Sequence, residues 1–129
     1  MPRPAHFEIH SENPERAITF YQGMFGWKFE KWPGPMDYWL IVTGPPEEPG
    51  INGGLLRRHG AGPGAGQPVN AFPCTISVAS VDAAMITLEK LGGKVALPKM
   101  TVTGVGWLAY GIDLDGNIFG MMQADATAR

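Results

Sequence analysis

A chain of 129 residues that is 44% hydrophobic and 17% charged can bury a core and is too apolar for disorder. Its formal net charge of -2, with no basic run longer than Arg57-Arg58-His59, argues against nucleic acid as a partner. The single cysteine, Cys74, excludes an intrachain disulfide and suits a reducing compartment. The first ten residues, MPRPAHFEIH, hold no apolar run of signal-peptide length. No stretch approaches the ~20 apolar residues that cross a bilayer. A soluble cytoplasmic protein with no membrane partner is expected.

Residues 6–10, HFEIH, alternate polar and apolar. A strand there places Phe7 and Ile9 on one face and His6, Glu8 and His10 on the other. Asn13 reads as a helix N-cap and Pro14 as the first helical residue. Ala17, Tyr21, Met24 and Phe25 follow at helical spacing and form one apolar stripe. Gly26 suits the left-handed conformation that ends a helix. Trp27 to Trp32 reads as a strand, broken by Pro33-Gly34-Pro35. Tyr38 to Thr43, YWLIVT, is rich in strand-forming residues. A proline-rich turn leads to a short fourth strand over 51–57, weakened by Gly53-Gly54.

Residues 60–72 contain GAGPGAGQP and read as a linker. The order then repeats. Cys74 to Val78 is a strand, with Cys74, Ile76 and Val78 on one face and Thr75 and Ser77 on the other. Ser80 caps a helix whose stripe is Val81, Ala84, Met85, Leu88 and Leu91, and Gly92-Gly93 stops it. Strands follow at 94–97, 105–112 and 118–123, with the turn Asp113-Leu114-Asp115-Gly116-Asn117 between the last two. The tail from Ala124 to Arg129 is expected to fray.

The two halves align on each other. Gly26 and Gly93 stand 67 positions apart, as do Glu15 and Asp82, Ala17 and Ala84, and Tyr21 and Leu88. Each half is therefore a β-α-β-β-β module, the first at about 5–57 and the second at about 73–124. One helix covers only one face of four strands. The other face is polar on the first strand of each module, and two such sheets curling together would leave a cleft.

These residues resemble the vicinal oxygen chelate superfamily, which includes glyoxalase I, extradiol dioxygenases and the fosfomycin- and bleomycin-resistance proteins. The likeness is carried by His6-Phe7-Glu8-Ile9, the helix from Pro14 to Tyr21, and Phe25-Gly26-Trp27. In the second module it is carried by Val81 to Ala84, Leu91-Gly92-Gly93 and the turn from Asp113 to Asn117. The resemblance implies an α+β fold of two tandem βαβββ modules, one domain over residues 1–129, with a curved mixed sheet around a cleft and helices outside. It also implies divalent-metal sites built from His and Glu on cleft-facing strands. Here His6 stands at the first such place, and its repeat mate is Pro73. The third is Gly120, whose mate at the same spacing is Gly53. One imidazole does not make a site of three or four protein ligands, so no metal and no cofactor are expected.

The expected function is metal-independent binding of a small organic molecule in the cleft by His6, Glu8, His10, Thr75 and Ser77, with Trp39 or Trp107 as a flat wall. Two alternatives stand beside it. One is a metal-dependent lyase, isomerase or dioxygenase of glyoxalase type. The other is a metal-free enzyme with His6 and Glu8 as acid and base. Cys74 is expected on the helix-facing side as a buried thiol, and a homodimer is expected from exposed sheet edges.

Overall fold

The computed structural model describes residues 3–129, and the chain divides into two compact units with their boundary between Gly62 and Pro63. The first unit contains β1 (Phe7–Ser11), α1 (Pro14–Phe25), β2 (Lys28–Lys31), β3 (Tyr38–Val42) and β4 (Gly53–Arg57). The second contains β5 (Thr75–Ser77), α2 (Val81–Lys90), β6 (Lys94–Val102), β7 (Gly106–Ile112) and β8 (Ile118–Ala124). Their strand orders are β1-β4-β3-β2 and β5-β8-β7-β6, with the first pair of each sheet parallel and the others antiparallel. Each unit is thus a βαβββ module with a four-stranded mixed sheet. Among the described residues, no helix is long and apolar enough to cross a membrane.

Both helices begin and end through local chemistry. Asn13 Oδ1 accepts the Arg16 amide at 3.2 Å, and Ser80 Oγ accepts the Ala83 amide at 3.1 Å. Such caps are worth about 1 kcal/mol each. Gly26 ends α1 at φ +71°, where a side chain would be strained.

In the first unit α1 buries Pro14, Ala17, Phe20 and Tyr21. Phe20 lies outside the expected stripe and is 1% exposed. It sits three residues after Ala17, so both spacings that share a helix face are in use. The Trp27 ring stacks on Tyr21 with centroids 5.5 Å apart and meets Phe25 at 4.9 Å and Phe7 at 5.6 Å. This cluster fastens the helix and the chain leaving it to β1.

In the second unit Val81 and Leu88 are the buried residues of α2. Leu88 sits where two glycines open space: a Cβ on Gly111 would lie 2.9 Å from its side chain, and one on Gly93 would overlap it.

Two local expectations change, and the turn after β7 stands where it was expected. Strand β6 runs on to Val102 through Pro98, because it is an edge strand with register shifts that tolerate a missing N–H. The tail does not fray: the Ala128 carbonyl accepts the Gly104 amide at 3.0 Å, and Ala128 is 2% exposed. The turn after β7 is organised by Asp113, whose Oδ1 accepts the Asp115 and Asn117 amides at 2.8 and 2.9 Å.

Asp125 is the clamp of the tail. Its Oδ1 accepts the Thr127 hydroxyl at 2.6 Å and amide at 2.9 Å, while Oδ2 accepts Trp107 Nε1–H at 3.0 Å. The Thr127 hydroxyl, then the Trp107 indole, then the Thr127 amide hold its carboxyl below the usual aspartate range.

A pKa lowered by folding contributes stability above the unfolded value, which is lost as pH falls through the folded one. Hydrogen exchange at Thr127 and Ala128 should therefore accelerate in acid only below the ordinary aspartate pKa of about 3.9, and Asp125→Asn should remove that dependence. A second expectation concerns β4. A Cβ on Gly53 would lie 2.7 Å from the Phe7 ring and backbone oxygen. Gly53→Ala should then cost about 1–3 kcal/mol in denaturant unfolding, the usual range for overpacking.

Candidate functional site

Strand register decides which side chains share the uncovered face of each sheet, because directly paired residues point to the same side. In the first unit Glu8 pairs with Gly54, Gly54 with Leu40, and Leu40 with Glu30. His10 pairs with Leu56 and Leu56 with Tyr38. These residues form the open face. The opposite face carries Phe7, Ile9, Gly53, Leu55, Trp39 and Ile41, and Leu55 and Ile41 are fully buried.

Tyr38 organises the open face. A Cβ at Gly54 would overlap its phenol oxygen, so glycine is what lets the ring lie across β4. That oxygen is 2.9 Å from His6 Nε2. Burial, then the charge of Glu8, push the phenol above the usual tyrosine range. At neutral pH it is a protonated donor. His10 Nε2 lies 3.7 Å from Glu8 Oε1. Tyr38, read from the sequence only as part of a strand, joins His6, Glu8 and His10 on the face those three were expected to share.

The signal for Tyr38 was present in Gly53-Gly54, since paired glycines in a central strand mark a close approach. The sequence does not say which group approaches.

Trp39, expected as a ligand wall, lies on the helix-facing side with Lys31 Nζ 5.0 Å from its ring centre. Period-two alternation puts Tyr38 and Trp39 on opposite faces, and the pairing with Leu55 gives Trp39 the covered one.

In the second unit Thr75 pairs with Gly120 and Gly120 with Tyr110, while Ser77 pairs with Met122 and Met122 with Leu108. Thr75 and Ser77 are exposed on this open face. A Cβ on Gly120 would lie 2.8 Å from Thr75 Oγ1 and 3.2 Å from the Tyr110 ring. Trp107 pairs with Gln123, whose side chain accepts the Val81 amide at the start of α2, so Trp107 also has the helix-facing side. Lys99 Nζ sits 4.8 Å from its ring centre and 3.1 Å from Asp82.

Register also corrects the repeat. The spacing of 67 that relates the helices holds for Glu8 and Thr75, which occupy matching places. Glu8 faces Gly54 and Thr75 faces Gly120, so the mate of Gly120 is Gly54, 66 positions away, rather than Gly53. Gly53 belongs to the covered face. Pro73 precedes β5 and is exposed. Among the described residues, no group of three or more His, Cys, Asp and Glu side chains is placed to hold one ion.

Cys74 is exposed rather than buried, because β5 starts one residue later at the sheet edge. Partial desolvation still pushes its thiol up, which disfavours the thiolate. Arg57 and Arg58 tie β4 to β1, donating to the Glu12 and His10 carbonyls at 3.1 and 3.2 Å.

No protein-family model matches the sequence, and no curated protein does. Solved structures do match. The fosfomycin resistance protein FosX from Listeria monocytogenes superposes with a TM-score of 0.75 at 14% identity, over 97% of this chain and 93% of that one. A glyoxalase/bleomycin resistance protein/dioxygenase family enzyme from Burkholderia phytofirmans PsJN gives 0.69 at 14% identity, over 94% and 98%. A glyoxylase/bleomycin resistance protein/dioxygenase domain from Frankia sp. EAN1pec gives 0.70 at 17% identity, over 97% and 99%. With two βαβββ modules in matching strand order, the chain has the fold of the vicinal oxygen chelate superfamily.

Proposed function

We propose that this is a glyoxalase/bleomycin resistance-like protein that binds a small organic molecule without a metal ion, using the open sheet face that carries His6, Glu8, His10 and Tyr38. The observation that carries this reading is the pair Gly54 and Gly120. They hold matching places on the last strands, opposite the polar residues Glu8 and Thr75. A divalent ion bound in the superfamily's manner needs carboxylates or imidazoles from such strands. Glycine supplies none, and at Gly54 the space is taken by the Tyr38 phenol. Glu8 shares its face with that phenol and lies 3.7 Å from His10. The donor set does not fit such an ion.

On the first sheet's open face Leu40 and Leu56 stand beside Glu8, His10 and Tyr38, which is the mixed lining of a small-molecule site. The metal-dependent alternative draws on the same fold, since FosX has been solved with Mn(II) and 1S,2S-dihydroxypropylphosphonic acid. Elemental analysis of protein prepared without an affinity tag separates the two. The expected result is well under one equivalent of transition metal per chain. About one equivalent of manganese, zinc, nickel or iron, lost with His6→Ala, would overturn the metal-free reading.

We also infer a homodimer. Strands β1 and β5 are sheet edges, and an unpaired edge favours association with another strand. Light scattering at micromolar concentration should give twice the 13.9 kDa chain mass, and monomer alone would refute it.

A further inference from the structure

The floor of the first sheet's open face is an aromatic ring laid flat. Gly54 belongs to the row Glu8, Gly54, Leu40 and Glu30, which crosses all four strands. A Cβ on Gly54 would overlap the Tyr38 oxygen and Cζ and lie 2.9 Å from Cε1. An atom approaching the phenol end-on would stand much farther from Cε1, and one approaching its rim would meet Cε1 before Cζ. The missing Cβ therefore points at the flat of the phenol, so the ring lies along the sheet with one face on Gly54. His6 Nε2, 2.9 Å from the oxygen, holds the far end of the ring whichever partner supplies the proton.

The other face of the phenol points away from the sheet, on the side that α1 leaves uncovered. Phe7 and Trp39, the aromatic residues of β1 and the rest of β3, have the helix-facing side, so neither stacks on it. Leu40, which is 41% exposed, and the half-buried Leu56 border the ring.

The charge nearest this platform is negative. Glu8 pairs directly with Gly54, so its side chain starts beside the phenol, and that side chain is 47% exposed. Glu30 closes the other end of the row, and His10 Nε2 lies 3.7 Å from Glu8. The cations stand farther off. Lys28 is at the outer edge opposite Val42, and Arg58, beyond the end of β4, donates to the His10 carbonyl at 3.2 Å. The face of an aromatic ring is itself electron-rich and attracts positive charge. Ring and carboxylate thus favour the same guest, flat enough to stack and positively charged.

We propose that Tyr38 is the stacking platform of this face, and that the face takes a planar organic cation, such as an aromatic amidinium, lying on the phenol with its charge toward Glu8. The proposal rests on the reading above that the open face binds a small organic molecule, and it names the chemical class.

Benzamidine, benzamide and benzoate share one flat framework and differ in charge, and titrating each into the protein as purified, at neutral pH, tests the proposal. Benzamidine should bind saturably and about tenfold more tightly than benzamide, a difference of about 1.4 kcal/mol, with benzoate weaker still. Its ring protons should show nuclear Overhauser contacts to the Tyr38 ring. Cyclohexanecarboxamidine, with the same charge but no flat ring, should bind about tenfold more weakly than benzamidine. Tyr38→Leu should remove that preference for the flat probe, and Glu8→Gln should bring benzamidine level with benzamide. The probe comparison and the Tyr38 contacts are read on the unaltered chain, so they decide the matter even if a variant fails to fold. Benzamide or benzoate binding as tightly as benzamidine, no preference for the flat cation, no contact to Tyr38, or no saturable binding of any probe would each overturn the proposal. A stoichiometric metal instead overturns the metal-free reading, so the two failures are distinguishable.

Discussion

A four-stranded sheet with a single helix has one face it cannot cover, and the chemistry of each unit follows from which residues are assigned to that face. The covered side of the first sheet takes Phe7, Leu55, Ile41 and the aromatic cluster around Trp27. Removing this apolar surface from water is the main favourable term holding α1 against the strands. The same alternation that sends Phe7 and Ile9 inward sends Glu8 and His10 outward. Core and candidate site are therefore two sides of one pleat.

Glycine in the central strands gives this arrangement its detail. Gly53 and Gly54 are consecutive, and each makes room on a different face. Gly53 accepts the close approach of Phe7 on the covered side, and Gly54 accepts the Tyr38 phenol on the open side. The second unit uses the same device at Gly120, where Thr75 and the Tyr110 ring close on the missing side chain, and at Gly111, where Leu88 does. A weak strand former is retained in each case because packing against the vacated volume outweighs its low strand propensity.

The two open faces differ in chemical character although the folds match. The first bears ionisable groups, with His6 hydrogen-bonded to Tyr38 and His10 close to Glu8. The second bears the hydroxyls of Thr75, Ser77 and Tyr110 among Leu97, Met100, Leu108 and Met122. On the helix-facing sides the halves stay alike: Lys31 lies over Trp39 and Lys99 over Trp107. These lysine–tryptophan contacts explain why two of the four tryptophans pack locally instead of lining an open face.

The sequence by itself determined the elements and their order. Caps at Asn13 and Ser80, the stop at Gly26, period-two alternation in HFEIH and the repeated helix-glycine pattern act within a few residues of chain, so they are legible without a fold. The same locality made His6, Glu8 and His10 visible as one face. Tertiary structure alone decided register. A shift of one residue moves a whole strand to the other face, and nothing within YWLIVT or INGGLLR says which residue pairs with which. That is why Trp39 was expected where Tyr38 stands, and why the mate of Gly120 is Gly54 and not Gly53. The link from His6 to Tyr38 spans 32 positions and exists only because β1, β4 and β3 lie side by side over a glycine that leaves the space for it.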